Sequence, residues 1–351
     1  MKKITARILA LLLVALMACA MLPTFAMAAE EPTDPTQPTE PVVDPKVSAP
    51  GLVKEADTDS LKPGETVHYT LTSNVPGYLG EFLPIADPKD PIIVTAAEGI
   101  ERGSYPLTFH DTMNEKLTFN KDVSVTVNGK TLAADLFTVI TDTDDGCTFH
   151  VTMDLVKIYL AGGYFTLEEI AQAPAIVITY SATLAEDATA GAYPNAAFAS
   201  FKAQNGEDDQ TVESAVNVNV YAIKVFKYDQ GNEKAPLAGA TFTLKDAEGN
   251  TVATLDSGED GYVLFDGLKA GTYTLTEDKA PEGYIKSEKG LEITLPADKM
   301  TDNTVTAEFA NAKIPHTGGE GTAMFVTMGI VLMGAAAAMF LASQKKRSFQ
   351  A

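Results

Sequence analysis

The sequence predicts an all-β protein of two tandem immunoglobulin-like β-sandwich domains, with a targeting segment at each end. Three observations carry this reading. Apolar and polar residues alternate in many short runs, which is the period of a half-buried strand. Gly, Asn and Asp interrupt those runs at close intervals, as turns require. Only Thr166-Leu167-Glu168-Glu169 reads as a helix start, a capping box opening one short helix before Pro174.

Composition narrows the function classes. The chain has 351 residues, a formal net charge of −21, two cysteines, four histidines and no tryptophan. An acidic balance argues against nucleic acid or an anionic membrane surface as partner. Cys19 lies in the apolar N-terminal segment, so Cys147 stands alone in the folded part. This excludes an intrachain disulfide framework and a zinc site built on several thiolates. Histidines at 68, 110, 150 and 316 are scattered, which leaves little material for a His-rich metal or hydrolase site. No cofactor and no metal are expected.

Residues 1–28 read as a secretory signal peptide. Lys2, Lys3 and Arg7 precede an apolar run from Ile8 to about Leu22, and Ala26-Met27-Ala28 supplies the cleavage site. Leu16-Met17-Ala18-Cys19 offers a rival lipobox, though apolar residues continue past Cys19. Residues 29–48 form a spacer: Pro32, Pro35, Pro38 and Pro41 recur every third residue, the pattern of an extended polyproline segment.

The first sandwich is expected over 49–219. Val67, Tyr69 and Leu71 alternate with polar neighbours; Val123, Val125 and Val127 lead into the hairpin signal Asn128-Gly129; and Ile176, Ile178 and Tyr180 alternate again. The second is expected over 220–312. Its strands run Val220–Tyr228, Ala240–Leu244, Thr251–Leu255, Tyr262–Phe265, Thr272–Glu277, Leu291–Leu295 and Thr304–Ala310. Seven strands in so short a stretch match an immunoglobulin-like sandwich.

Residues 313–351 close the chain. Ala323–Ser343 is apolar and long enough to span a bilayer, and Lys345-Lys346-Arg347 follows as a cytoplasmic stop. Removing residues 1–28 and 318–351 takes away six basic groups and one acid. The remaining 289 residues then carry a formal charge of −26.

Polar residues stand on apolar strand faces. Lys227 shares a face with Tyr221, Ile223 and Val225; Glu277 with Tyr273 and Leu275; Asn311 with Val305, Ala307 and Phe309. An unpaired charge there is expensive. The plain alternative is three strand-end side chains reaching water. The chemical reading is an intramolecular isopeptide bond between Lys227 and Asn311, with Glu277 as the proton-handling acid. Burial favours a neutral, nucleophilic lysine and a protonated carboxyl. In the first unit, Asp111 shares a face with Leu107, Phe109 and Met113. Asn195 shares one with Tyr193, Ala197, Ala199 and Phe201, and Lys54 follows Leu52 near the start.

Phe226-Lys227-Tyr228-Asp229, Pro236-Leu237-Ala238-Gly239-Ala240-Thr241-Phe242, the run from Gly271 to Tyr284, and Phe309-Ala310-Asn311 together resemble a CnaB-type (SpaA-like, prealbumin-like) domain. That resemblance also implies Lys227, Glu277 and Asn311 as a bond-forming trio. Gly64-Glu65-Thr66-Val67-His68-Tyr69-Thr70, Phe109-His110-Asp111-Thr112 and Tyr193-Pro194-Asn195-Ala196-Ala197 resemble the fimbrial isopeptide-forming domain of pilins. It implies that Lys54 bonds Asn195 with Asp111 as the acid. Lys62 is the rival lysine, beside the turn residues Pro63-Gly64. Ile314-Pro315-His316-Thr317-Gly318, followed by an apolar span and a basic tail, resembles the LPxTG sorting signal of Gram-positive cell-wall proteins, with Ile314 in place of Leu. It implies that sortase cleaves between Thr317 and Gly318 and transfers the Thr317 carbonyl to an amine.

Together these resemblances imply a structural surface protein. It would be a pilin-type or fimbrial subunit, secreted and anchored to the Gram-positive wall or polymerised into a pilus, with sortase, peptidoglycan and neighbouring subunits as partners. Val43-Asp44-Pro45-Lys46 partly echoes the Tyr-Pro-Lys-type motif that carries a polymerisation lysine, which makes Lys46 a candidate. A monomeric wall-anchored adhesin for a host protein or glycan is the alternative. An enzyme is the third reading, but no nucleophile–base constellation supports it. Gly129-Lys130-Thr131 lacks the glycine a P-loop needs at position 124, where Ser stands. Asp142, Asp144, Asp145 and Gly146 lack EF-hand spacing and read as an acidic turn, with Cys147 a passive thiol beside it.

Overall fold

The computed structural model of the chain describes residues 48–84, 100–315, 328 and 332. The expected signal peptide, Lys46, the motif residues His316, Thr317 and Gly318, and most of the apolar span 323–343 lie outside the described residues. Among the described residues, no helix is long and apolar enough to cross a membrane.

The fold is all-β. In chain order, β1 (Val53–Ala56), β2 (Thr66–Asn74), β3 (Pro106–Met113), β4 (Leu117–Phe119), β5 (Ser124–Val127) and β6 (Lys130–Thr131) come first. They are followed by β7 (Phe137–Ile140), β8 (Phe149–Asp154), β9 (Ala175–Leu184), β10 (Gly191–Lys202) and β11 (Asp208–Gln210). One sheet has the order β1-β2-β9-β5-β6, with β4 also on β9. The Asn128-Gly129 signal forms the β5–β6 hairpin: both residues have positive φ, 52° and 73°, as a type I′ turn requires.

The remaining strands are β12 (Ser214–Asp229), β13 (Thr241–Lys245), β14 (Thr251–Asp256), β15 (Tyr262–Leu268), β16 (Gly271–Lys279), β17 (Leu291–Leu295) and β18 (Thr304–Asn311). A second sheet runs β15-β12-β10-β3-β8-β7, with β11 on β10 and β18 on β12; a third runs β14-β13-β16-β17. Two apolar cores result. One gathers Tyr69, Leu107, Phe109, Phe149, Ile178 and Tyr180; the other gathers Ile223, Val225, Phe242, Phe265, Leu275 and Phe309. Each such Leu, Ile, Val or Phe side chain contributes about 1.5–3 kcal/mol on full burial.

The expected limit at 219/220 falls inside β12, which runs through without a break. Residues Ser214–Ala215, Val216–Val220 pair with β10, and Tyr221–Asp229 pair with β15 and β18. Val218 and Val220 belong to the first core; Tyr221, Ile223 and Val225 belong to the second. Successive strand side chains point to opposite faces. An even-numbered stripe therefore serves one core and an odd-numbered stripe the other, and no linker is needed.

The capping box at Thr166 forms as expected and opens a short helix at Leu167–Ile170. A second helix departs from the reading of a single helix start. It spans Leu155–Ala161, directly after β8. We number these α1 (Leu155–Ala161) and α2 (Leu167–Ile170). The alternation of Val151, Met153 and Leu155 continues the strand pattern into α1. The Asp154 carboxylate ends it by accepting from the Val156 N–H at 2.9 Å and the Lys157 N–H at 3.3 Å.

Candidate functional site

Two buried clusters, one in each core, hold the polar residues that sequence placed on apolar faces. In the second core, the odd-numbered stripe of β12 carries Lys227 inward. The parallel strand β18 sets Phe309 opposite Lys227 and Asn311 opposite Asp229, so Asn311 lies diagonally beyond the lysine. Glu277 arrives from β16, in the facing sheet. All three are at most 2% exposed.

The Lys227 Nζ contacts the Asn311 Oδ1 directly and lies 3.0 Å from the Glu277 Oε1. The Asn311 amide donates to the Glu277 Oε1 at 2.9 Å and Oε2 at 3.1 Å. The Ser287 backbone N–H donates to Oε2 at 2.7 Å, which fixes the carboxyl from outside the trio. The rings of Phe309 and Phe242 cover the amine at 5.3 and 6.0 Å. Burial holds the Lys227 amine below the ordinary lysine range, against the opposing pull of Glu277.

In the first core, Lys54 enters from β1, Asp111 from β3 and Asn195 from β10, all buried. The register Ala197↔Asp111 on β10–β3 places Asn195 two residues along from the acid. The Lys54 backbone N–H donates to the Ser214 Oγ on β12 at 3.0 Å, tying the first strand to that sheet. Its Nζ donates to the Asp111 Oδ2 at 2.6 Å and to the Tyr180 hydroxyl at 2.8 Å. That hydroxyl in turn donates to the Asp111 Oδ2 and accepts from the Asn195 Nδ2 at 3.3 Å. Among the described residues, the buried Asp111 Oδ1 and Asn195 Oδ1 have no hydrogen-bond partner.

Burial pushes the Lys54 amine down to about 8, and pushes the Asp111 carboxyl up despite the lysine beside it. Both shifts move the pair toward a neutral amine and a protonated acid. The clusters differ in one respect. In the second core, lysine meets asparagine directly; in the first, a tyrosine hydroxyl touches all three members. Tyr180 was legible only as one more residue of the Ile176, Ile178, Tyr180 stripe. The Ser287 amide left no sequence signal, because any non-proline residue supplies one.

The other candidates fall elsewhere. Lys62 is exposed in the turn before β2, where its backbone N–H donates to the Glu65 Oε2 at 2.9 Å. Ile314 and Pro315 follow β18. Ile314 is 53% exposed, and its N–H donates to the Gly283 carbonyl at 2.8 Å, holding the chain as it leaves the sandwich. Gly129-Lys130-Thr131 is the hairpin turn and its return strand. Asp142 and Asp144 lie in the loop between β7 and β8.

Residues 221–310 match the SpaA prealbumin-like fold domain. The chain is similar to the trypsin-resistant surface T6 protein of Streptococcus pyogenes serotype M6. The two are 26% identical over 290 residues, 75% of this chain and 47% of that protein. A fibrinogen-binding protein of Staphylococcus epidermidis is 33% identical over 91 residues, 24% of this chain and 8% of its own length. The chain thus spans less than half the length of either curated relative. Among solved structures, the group B streptococcus pilus 2b backbone protein is similar at 21% identity and a TM-score of 0.49, over 74% of this chain and 97% of that one.

Proposed function

We propose that this chain is a structural subunit of a Gram-positive cell surface, of the pilin type, closed internally by two Lys–Asn isopeptide bonds and joined by sortase to the wall or to a neighbouring subunit. The observation that carries the reading is the fully buried contact of the Lys227 amine with the Asn311 carboxamide, with Glu277 touching both.

The chemistry balances within the trio. The neutral Lys227 Nζ attacks the Asn311 Cγ, with the Glu277 carboxyl, which touches both the amine and the amide nitrogen, placed to carry a proton between them. The surplus proton on Nζ passes through the Glu277 carboxyl to the asparagine Nδ2. The Cγ–Nδ2 bond then breaks, ammonia leaves, and an Nζ–Cγ amide remains. Closure around the Phe242 and Phe309 rings keeps water from competing as the nucleophile. Lys54, Asp111 and Asn195 would react in the same way, with the Tyr180 hydroxyl holding amine, acid and amide in register. Each event happens once per molecule, so it is maturation rather than turnover.

The SpaA-type match over 221–310 and the similarity to a streptococcal surface protein support this role. So does the run Ile314-Pro315-His316-Thr317-Gly318 ahead of an apolar span and a basic tail. Intact-mass measurement of the purified chain tests the internal bonds. Two ammonia losses are expected, about 17 Da each; a mass equal to the unreacted sequence would sink the reading. Boiling-resistant ladders in a wall extract, lost on Lys46→Ala or on Thr317→Ala, test polymerisation and its attachment lysine.

A further inference from the structure

Two histidines far apart in sequence face each other on the outer side of the first sandwich. On β3, Leu107, Phe109, Asp111 and Met113 point into the core, which turns His110 outward; on β8, Phe149, Val151 and Met153 do the same for His150. The register pairs His110 directly with His150. The loop from β7 then folds Asp145 and Cys147 over them. The His110 Nδ1, His150 Nε2 and Asp145 Oδ2 form a triangle with sides of 3.0, 3.1 and 2.9 Å. The Cys147 Sγ completes a set whose four ligand atoms all lie within 4.8 Å of one another.

We propose that His110, Asp145, Cys147 and His150 form a binding site for one divalent transition-metal ion, with zinc the best fit. Tetrahedral zinc with bonds of about 2.0–2.3 Å needs ligand atoms roughly 3.3–3.6 Å apart. The triangle meets this by opening a few tenths of an ångström, and the thiol by closing inward. Two neutral imidazoles, a carboxylate and a thiolate cancel the charge of the ion. A thiolate in the set selects against calcium and magnesium, which take oxygen ligands.

The surroundings fit a metal site. The His110 Nε2 is bonded to the Ser200 Oγ at 2.9 Å, which leaves Nδ1 free for the ion. Phe198 stacks on the same ring at 4.4 Å and sets its plane. The Cys147 backbone N–H donates to the Asp145 Oδ1 at 3.1 Å, holding the Asp-x-Cys turn. Binding would release the thiol proton to solvent and clip the β7–β8 loop onto β3 and β8. The sequence signal is Asp145-x-Cys147-x-x-His150, three ligand types within six residues. The fourth ligand comes from a neighbouring strand and is invisible without register.

The test uses the purified whole chain, stripped with chelator and titrated with zinc chloride. One zinc per chain is expected, and cobalt(II) in its place should give thiolate charge-transfer absorption. His150→Ala and Cys147→Ser should each weaken zinc binding at least about 100-fold, since loss of an outer partner alone costs roughly 10–100-fold. Unchanged far-ultraviolet circular dichroism shows that the variants fold. On the wild-type chain, zinc should slow maleimide labelling of Cys147, read by peptide mapping. Substoichiometric zinc, a cobalt spectrum without the thiolate band, or affinity indifferent to both variants would overturn the site.

Discussion

Asn311 stands opposite Asp229 in the parallel pair β12–β18, two residues past Lys227, and its side-chain oxygen meets the Lys227 amine. The first prediction follows from this. Lys227→Met or Asn311→Ala should each retain the one ammonia that the proposed bond would release. Either variant also opens a closure between residues 84 apart. By the loop-entropy argument used for disulfides this costs about 4–5 kcal/mol of stability. Mass spectrometry and urea unfolding read the two effects, and an unchanged urea midpoint would contradict the cross-link.

Glu277→Gln keeps nucleophile and carbonyl in place but removes the proton carrier. The Lys227–Asn311 bond should then form at least about 100-fold more slowly, the usual contribution of general acid–base catalysis. The loss should be confined to the second core, with bond formation at Lys54 undisturbed. Time-resolved peptide mass after cell-free synthesis separates the two.

Bond formation at Lys54 should accelerate as pH rises from 6 to 8. Burial lowers this amine from 10.5 to about 8. A lowered lysine is charged below that value and neutral above it. Its nucleophilic fraction therefore grows from roughly 1% to about half, a rise of about 50-fold across the range. A flat or falling rate between pH 6 and 8 would remove the neutral amine from the mechanism.

Tyr180→Phe removes the hydroxyl that touches Lys54, Asp111 and Asn195. The Lys54–Asn195 bond should form more slowly while the Lys227–Asn311 bond is unaffected. The bond-free precursor should lose about 1–3 kcal/mol, because its buried partners go unsatisfied. Equal rates in Tyr180→Phe and wild type would reduce Tyr180 to core packing.

Strand faces were the most legible part of the molecule. A period of two names the inward residues regardless of which strand pairs with which, so Lys227, Glu277, Asn311, Asp111 and Asn195 could be placed on apolar stripes before any contact was known. Long-range pairing was not legible. That His110 faces His150 depends on the β3–β8 register, which a sequence separation of 40 does not encode locally. Helix α1 was hidden for a different reason. The alternation of β8 runs on to Leu155, so the change of period at the buried Val156 and Ile158, where the Asp154 side chain takes up two first-turn amides, is too short to stand out against it. The expected limit at 219/220 lies within one residue of the switch between cores, but nothing local shows that β12 runs on through it, because the switch is only a change from even to odd inward residues.

The direction of β18 has a mechanical consequence. A pull entering β12 from its N-terminal side and leaving past Asn311 draws two parallel strands along each other. The eight register pairs from Ala222–Thr304 to Asp229–Asn311 then resist in shear, all at once, rather than unzipping one by one. With Lys227 bonded to Asn311, tension passes from strand to strand through that amide. Strands β13 to β17 are then left outside the line of force.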